Sequence, residues 1–134
     1  MIYAVIDTNI LVSSFITKNE LAGTRKVVNG MLDGLITPIY NEEILSEYSE
    51  VLLRPKFHID AADIGILIQY FRCYGIESSR THLNGEMLDE DDRVFYEITL
   101  SNKNAFLVTG NLKHFPKAPQ VVTVAQMVDI LESQ

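Results

Sequence analysis

The sequence contains a single cysteine, Cys73, and no stretch of apolar residues long enough to cross a membrane. One cysteine can neither close an intramolecular disulfide nor supply a cysteine-based zinc cluster, which is typical of a protein from a reducing compartment. A spanning helix needs about 18–20 consecutive apolar residues. The first apolar run, 2–6, is much shorter and lacks the preceding basic residues of a signal peptide. These absences predict a soluble, cytoplasmic protein.

Positive charge is also scarce, because 11 Lys and Arg residues stand against 18 Asp and Glu residues and the net charge is −7. This balance argues against a protein that holds nucleic acid by neutralising many phosphates at once. The hydrophobic fraction of 47% and the charged fraction of 22% are those of a globular chain rather than a disordered one. With 134 residues, the chain is expected to form one domain, residues 1–134, with a core that needs no metal or disulfide.

Short β-rich runs alternate with helical patterns along the chain, which predicts an α/β domain with a mostly parallel sheet. The run 2–6 is apolar throughout, as expected for a central strand covered on both faces. Residues 76–88 predict a short strand followed by a polar loop. The other strands are predicted at 35–40, 105–109 and 120–122. One helix is predicted to begin near residue 10, and others to span 20–33, 41–53, 60–74 and 123–131. A further helix is predicted to begin in the acidic segment 86–92 and to end near 103–104.

Capping residues mark the ends of several of these helices. Gly34 is expected in the left-handed conformation that closes the second helix. Asn41 and Asp60 are expected as N-caps, because each places a side-chain oxygen just before a helical pattern. Thr123 and Gln126 have the Thr-x-x-Gln spacing of a capping box.

Asp7 follows the apolar strand 2–6 directly. In parallel α/β sheets, ligands bind at the carboxyl ends of the strands. A carboxylate there is costly to desolvate unless it is paired or binds a cation, so Asp7 is a candidate functional group. The competing interpretation is that Asp7 is an N-cap for the helix that begins near Ile10.

Glu47 lies on the predicted helix after the second strand, where Ile44, Tyr48 and Val51 belong to an apolar stripe. With about 100° between successive residues, Glu47 falls on the edge of this stripe, whereas the other acids of the helix point towards solvent. It is therefore the carboxylate expected to be half-buried. The alternative is a border residue paired with a Lys or Arg.

A third group of acids lies in the segment 86–92, which holds five carboxylates in seven residues. Charge runs are usually solvated, and acids also favour the first turn of a helix. A divalent cation, however, relieves repulsion among such neighbours directly. Asp91 and Asp92 point about 100° apart, and helical phase does not choose between them. Converging oxygen ligands suit Mg²⁺ or Mn²⁺ rather than zinc, and metal-assisted phosphoryl chemistry.

Four motifs occur in order along the chain, and together they resemble a PIN domain, the nuclease fold of VapC-type toxins in toxin–antitoxin pairs. The resemblance runs from residue 2 to about residue 122. Two further segments, 52–57 and 109–116, resemble a subgroup described as toxin components. The four motifs are Asp7-Thr8-Asn9-Ile10-Leu11-Val12, Ser46-Glu47-Tyr48, Asp91-Asp92 and Val108-Thr109-Gly110-Asn111.

The resemblance implies a three-layer α/β/α domain with a parallel five-stranded sheet, and an endoribonuclease that hydrolyses RNA with Mg²⁺ or Mn²⁺. Its catalytic acids and metal ligands would be Asp7, Glu47 and Asp92, with Asp91 close by. Attack of an activated water on phosphorus would leave a 5′-phosphate and a 3′-hydroxyl. Many PIN nucleases carry a further Asp where this chain has Asn111, whose amide oxygen could still ligate a metal ion but without charge.

Three polar residues would support these acids. By the same resemblance, Thr8 and Asn9 would orient Asp7 and its turn through side-chain hydrogen bonds, and Thr109 would lie beside the metal site. These residues are expected to shape the site rather than to react.

Partners follow partly from the residues and partly from the resemblance. Arg54, Lys113 and His114 are candidates for contact with RNA phosphates, with isolated surface cations and a structural loop histidine as the alternative. The resemblance also implies a homodimer and an antitoxin protein as partner. The rival function is a PIN-like binding or regulatory module whose catalysis has decayed, which Asn111 and the negative net charge would favour.

Overall fold

The computed structural model describes residues 1–134 and contains a parallel sheet of five strands. The strand order β3-β2-β1-β4-β5 places the first strand in the middle of the sheet. In chain order the elements are β1 (Ile2–Ile6), α1 (Thr8–Ile16), α2 (Gly23–Leu32), β2 (Ile36–Tyr40), α3 (Glu42–Leu52), α4 (Ala61–Tyr74), β3 (Ile76–Glu77), α5 (Arg93–Leu100), β4 (Ala105–Thr109), β5 (Val121–Thr123) and α6 (Val124–Glu132). Short 3-10 turns lie at Pro55–Phe57, Glu90–Asp92 and Leu112–His114.

Helices cover the sheet in two groups. Helix α2 packs on α1 and α6, and helix α3 packs on α4 and α5. The two groups meet where α1 packs on α3 and where the Tyr70 hydroxyl of α4 donates to the Met31 carbonyl of α2. In each of β1, β2 and β4, four of the five residues are buried. Because both faces are covered, these strands are nearly continuous apolar runs rather than alternating ones. The predicted α/β/α architecture is confirmed, and 30 buried apolar residues form one cluster around the sheet. No helix combines the length and the apolar character that crossing a membrane would require.

The predicted caps are present. Gly34 has a φ of 82°, the left-handed conformation that ends α2. The side chains of Asn41 and Asp60 accept hydrogen bonds from backbone N–H groups in the first turns of α3 and α4. Thr123 and Gln126 form the reciprocal capping box at the start of α6. Local sequence therefore determines where these helices begin and end.

Several predicted boundaries are wrong by a few residues. Helix α1 begins at Thr8 rather than near residue 10, and α2 begins at Gly23 rather than at residue 20. Helix α5 ends at Leu100 rather than at 103–104. The side-chain amide of Gln120 donates to the backbone carbonyls of Thr99 and of two following residues. Of these carbonyls only that of Thr99 belongs to α5, whereas the side chains of Ser101 and Asn102, directly after the helix, donate to the carbonyls of Glu97 and Ile98.

Gly75 ends α4 at a close approach of the backbone. A Cβ at this position would lie 2.5 Å from the carbonyl oxygen of Phe71 and 3.0 Å from that of Pro38. We expect Gly75→Ala to lower the free energy of unfolding by about 1–3 kcal/mol, because backbone atoms cannot move aside cheaply. Urea denaturation measures the change. The matched control is Gly65→Ala in the same helix, where a Cβ meets nothing within 4 Å. That variant should gain about 0.5–1 kcal/mol, and an equal gain at Gly75 would contradict the steric argument.

Candidate active site

Asp7 lies at the carboxyl end of the central strand and is 5% exposed. Strands β1 and β4 pair with Ile6 opposite Val108, and the Asp7 N–H donates to the Val108 carbonyl at 3.0 Å. The Thr109 hydroxyl donates to Oδ2 of Asp7 at 2.7 Å and accepts from the Asn111 N–H at 3.0 Å. The ends of the two central strands thus hold the Asp7 carboxylate from one side.

The Asp7 side chain does not cap helix α1. Asp7 occupies the N-cap position of that helix, but its carboxylate makes no capping hydrogen bond and accepts from Thr109 instead. Burial raises the pKa of Asp7, and the Thr109 hydroxyl opposes the rise without cancelling it. Of the two interpretations open from the sequence, the structure does not support the N-cap.

Glu47 is half-buried on α3 and is bonded to the turn that follows Asp7. The Thr8 hydroxyl donates to Oε2 of Glu47 at 2.6 Å. No Lys or Arg pairs with Glu47 within the ion pairs of the structure, so the border-residue alternative is wrong. Burial raises the pKa of Glu47, and the negative charge of Asp7 adds to the rise. The neighbouring Tyr48 hydroxyl donates to the Ile6 carbonyl at 2.5 Å, which ties α3 to the end of β1.

Asp92 lies at the end of the acidic 3-10 turn, with a side chain 16% exposed. Its Oδ2 is buried and accepts no hydrogen bond, although Nδ1 of His114 lies 3.3 Å away without hydrogen-bond alignment. Burial, together with the charges of Asp7 and Asp89, raises the pKa of Asp92 to about 6, against the opposing effect of His114. Asp91 is exposed and turns towards an open cleft. The structure therefore separates two residues that helical phase left equivalent.

An acid-lined cleft of about 420 Å³ opens beside these residues. The charges of Asp7, Asp91 and Asp92 all raise the pKa of Glu47, so the four carboxylates lie within electrostatic reach of one another. No three His, Cys, Asp or Glu side chains are placed close enough to hold a metal ion as they stand. The lining residues are Glu43, Ser46, Glu47, Glu50, Arg80, Glu90, Asp91 and Val94.

Neither Thr8 nor Asn9 donates a side-chain hydrogen bond to the Asp7 carboxylate, although Thr8 does fix the turn that follows Asp7. Thr8 donates to Glu47 rather than to Asp7, because it faces α3 from the first turn of α1. Asn9 is exposed and makes no side-chain hydrogen bond. The residue that orients the Asp7 carboxylate is Thr109, across the sheet.

The candidate RNA contacts are spread over the surface. Arg54 follows the end of α3, about 10 Å along that helix direction from Glu47 at 1.5 Å per residue, and is not brought to the cleft. Lys113 is exposed in the 3-10 turn after β4, and Asn111 is exposed at the start of the same turn. Only His114 contacts one of the clustered acids, Asp92.

Sequence reasoning missed a buried carboxylate that binds Arg80, one of the residues lining the cleft. Glu97 on α5 has no exposed surface and accepts hydrogen bonds from Arg80 and from the backbone of Leu83. Two signals could have indicated it. Glu97 lies four residues after Arg93, the spacing of an ion pair on a helix, and it falls among residues that are otherwise apolar.

Comparison with known proteins identifies the family. No curated protein matches the chain. The PIN domain family matches residues 3–113, most of the sequence. PIN domains are generally nucleases, a class of hydrolases, and typically use divalent metal ions. With that match, and with the parallel five-stranded sheet that carries the acids at its carboxyl edge, the chain belongs to the PIN domain family.

Proposed function

We propose that this protein is a divalent-metal-dependent endoribonuclease that acts at the acid-lined cleft beside Asp7. The observation that carries the proposal is the convergence of Asp7, Glu47 and Asp92 at one edge of the sheet, with a buried carboxylate oxygen on Asp92 that has no hydrogen-bond partner. Buried carboxylates without a neutralising Lys or Arg are costly unless a cation joins them. Membership in a family of nucleases supports the reaction class.

The donor set fits a hard divalent cation. Asp7, Glu47, Asp91 and Asp92 would hold Mg²⁺ or Mn²⁺ through carboxylate oxygens, and the amide oxygen of Asn111 is a weaker, neutral candidate. When bound, such an ion acidifies water and offsets the charge that develops on a phosphate during hydrolysis. The unpartnered oxygen of Asp92 is the group with the most to gain from a cation.

The surrounding residues hold the acids in place before any substrate arrives. Thr109 fixes the Asp7 carboxylate, and Thr8 fixes that of Glu47. The hydroxyl of Tyr48 binds the carbonyl of Ile6 and so fixes the backbone next to Asp7. Hydrogen bonds of this kind orient ligands and reduce the reorganisation that the reaction requires.

The finer parts of the proposal rest on the resemblance to VapC-type toxins. They are a single-stranded RNA substrate, a toxin role in the cytoplasm, a homodimer and an antitoxin partner. The net charge of −7 suits a basic protein partner. A small neighbouring gene for a DNA-binding protein would support the antitoxin.

The proposed activity is tested with purified protein and an end-labelled single-stranded RNA. We expect cleavage with Mg²⁺ or Mn²⁺, none with EDTA, and products that carry a 5′-phosphate. Products that ligate only after phosphorylation, or cleavage that persists in EDTA, would contradict the proposed chemistry. A DNA strand of the same sequence serves as the control for substrate class.

A decayed binding module is the second candidate function, and one observation favours it. Asn111 is neutral and exposed where a charged ligand would strengthen the site. Calorimetry with Mn²⁺ distinguishes the two candidates. A module without catalysis should bind Mn²⁺ no more tightly than millimolar and should not cleave RNA. The nuclease should bind Mn²⁺ more tightly than that and should cleave RNA.

A further inference from the structure

The loop before the acidic turn is fixed to the body of the protein by Glu97. This fully buried carboxylate accepts from Nε of Arg80 at 2.5 Å and from the Leu83 N–H at 2.9 Å, and Nη1 of Arg93 lies 3.7 Å away. Burial alone would raise the pKa of Glu97, but the Leu83 N–H and the Arg80 guanidinium hold it below its usual range. Glu97 is therefore an anion that anchors Arg80 in one orientation.

Arg80 is the one cation that lines the acidic cleft. Its Nε is bound to Glu97 and its Nη1 donates to Oε2 of Glu43 at 2.5 Å, whereas its Nη2 donates to no acceptor. The two carboxylates differ in burial, because the side chain of Glu43 is 59% exposed and that of Glu97 is not exposed at all. Arg80 thus donates to one buried carboxylate and to one surface carboxylate, and its Nη2 has no acceptor. Its own side chain is 21% exposed.

Arg93, the other arginine of this region, has no guanidinium nitrogen left without an acceptor. Arg93 donates to both carboxylate oxygens of Glu90 and to the backbone carbonyls of Leu83 and Gly85. These bonds occupy Nε, Nη1 and Nη2 of Arg93 together. It is a structural clamp on the loop, and it does not line the cleft.

We propose that Arg80 binds a backbone phosphate of the RNA in the cleft, with Glu97 as its anchor and Glu43 as the partner that the phosphate displaces. The inference rests on the proposed nuclease function and names the residue that attracts the substrate. A planar guanidinium binds a phosphate through two parallel N–H donors, which Nη1 and Nη2 supply once Glu43 is released. The carboxylates around it repel the same phosphate, so this guanidinium supplies the local positive charge that the cleft otherwise lacks.

The test measures binding of a fluorescein-labelled single-stranded RNA by anisotropy, in an Asp7→Asn background that leaves the RNA uncut. Arg80→Met should weaken binding about tenfold, the loss expected for one charge-assisted contact. It should also reduce the slope of log affinity against log salt by about 0.7, the value for one phosphate contact on a single strand. Arg80→Lys should keep the slope while losing part of the affinity. A merely structural role of Arg80 would leave the slope unchanged.

A second set of variants avoids disturbing the buried pair. Glu43→Gln frees Arg80 without touching Glu97, and we expect it to tighten RNA binding severalfold. Glu50→Gln removes the same charge from the same cleft but does not contact Arg80, so it should give a smaller gain. Glu42, the residue next to Glu43, forms a surface ion pair with Arg72 instead of Arg80. Glu42→Gln breaks that pair and should leave RNA affinity unchanged.

The outcomes separate this inference from the proposed function. If Arg80→Met unfolds because Glu97 is left unpaired, the comparison of Glu43→Gln with Glu50→Gln decides, and equal gains would overturn the role of Arg80. If Arg80→Met folds and binds RNA with an unchanged slope, the inference fails while cleavage by the natural protein still supports the nuclease. If the natural protein neither binds nor cleaves RNA, both fail.

Discussion

Replacing Asp7 by Asn is expected to lower the rate of metal-dependent RNA cleavage by about 10³-fold or more, the loss typical of removing a principal electrostatic group from an active site. Asn keeps the size of the side chain and an oxygen that accepts from Thr109, so the fold should persist. What is lost is the buried negative charge at the carboxyl end of the central strand. Single-turnover rates on labelled RNA, with circular dichroism to confirm folding, measure the effect.

Two further variants give the cleavage rates with which that of Asp7→Asn is compared. Thr109→Val removes the hydroxyl that orients Asp7 but keeps the carboxylate, and should cost about 10–100-fold, as loss of a supporting hydrogen bond does. Glu42→Gln, outside the cleft, should leave the rate unchanged. A folded Asp7→Asn protein that cleaves at the natural rate, after removal of contaminating nuclease, would refute the role of Asp7.

The sheet and the helix ends could be predicted because their determinants are local. A short, continuous apolar run such as 2–6 is typical of a strand buried on both faces, and the other β-rich runs alternate with amphipathic helical segments. Asn41 and Thr123 cap the helices that follow them within a few residues. The predicted end of α5 at 103–104 is wrong, although Ser101 and Asn102, whose side chains donate to carbonyls of its last turn, are local signals for an earlier end.

The site could be predicted as a set of acids but not as a set of contacts. Asp7 stood out because it directly follows a buried strand, and Glu47 because of its helical phase. That Thr8 binds Glu47 across 39 positions of the chain, and that Thr109 binds Asp7 across 102, depends on the strand order of the folded sheet. Pairings at such separations leave no periodic signal in one sequence.

The negative net charge acquires a local meaning from the structure. Most of the acids near the cleft are exposed and solvated, but Asp7, Glu47 and Asp92 are partly or fully buried with pKa values above their usual range. Burial raises the pKa of all three carboxylates, and neighbouring acids raise those of Glu47 and Asp92 further, so their charged forms destabilise the fold while no cation is present. The charged acids of the site therefore lower the free energy of unfolding of the metal-free protein. Their effect can be measured by unfolding experiments, without an assay of activity.

Asp92→Asn is expected to stabilise the metal-free protein at pH 7.5 by about 1–2 kcal/mol, or several degrees in Tm. The pKa of Asp92 rises from 3.8 to about 6 on folding, so the folded state binds this proton more tightly than the unfolded chain. Below pH 3.8 both states are protonated and the penalty is absent. It grows as the pH rises from about 4 to 6 and is complete above 6, so the natural protein loses this stability with rising pH. The gain in the variant should shrink in parallel as the pH falls to about 4. Thermal melts in EDTA across this range measure both.

Divalent metal should reverse the order of the two proteins. A cation that binds only the folded state stabilises it by mass action, so Mn²⁺ at pH 7.5 should raise the Tm of the natural protein and raise that of Asp92→Asn much less. Glu42→Gln, which alters only a surface ion pair, should differ from the natural protein by less than about 0.5 kcal/mol in either condition. An Asp92→Asn protein that is less stable than the natural one in EDTA at pH 7.5 would refute the argument. In that case the charge of the buried Asp92 oxygen would be stabilised within the metal-free fold, and it would not need a cation.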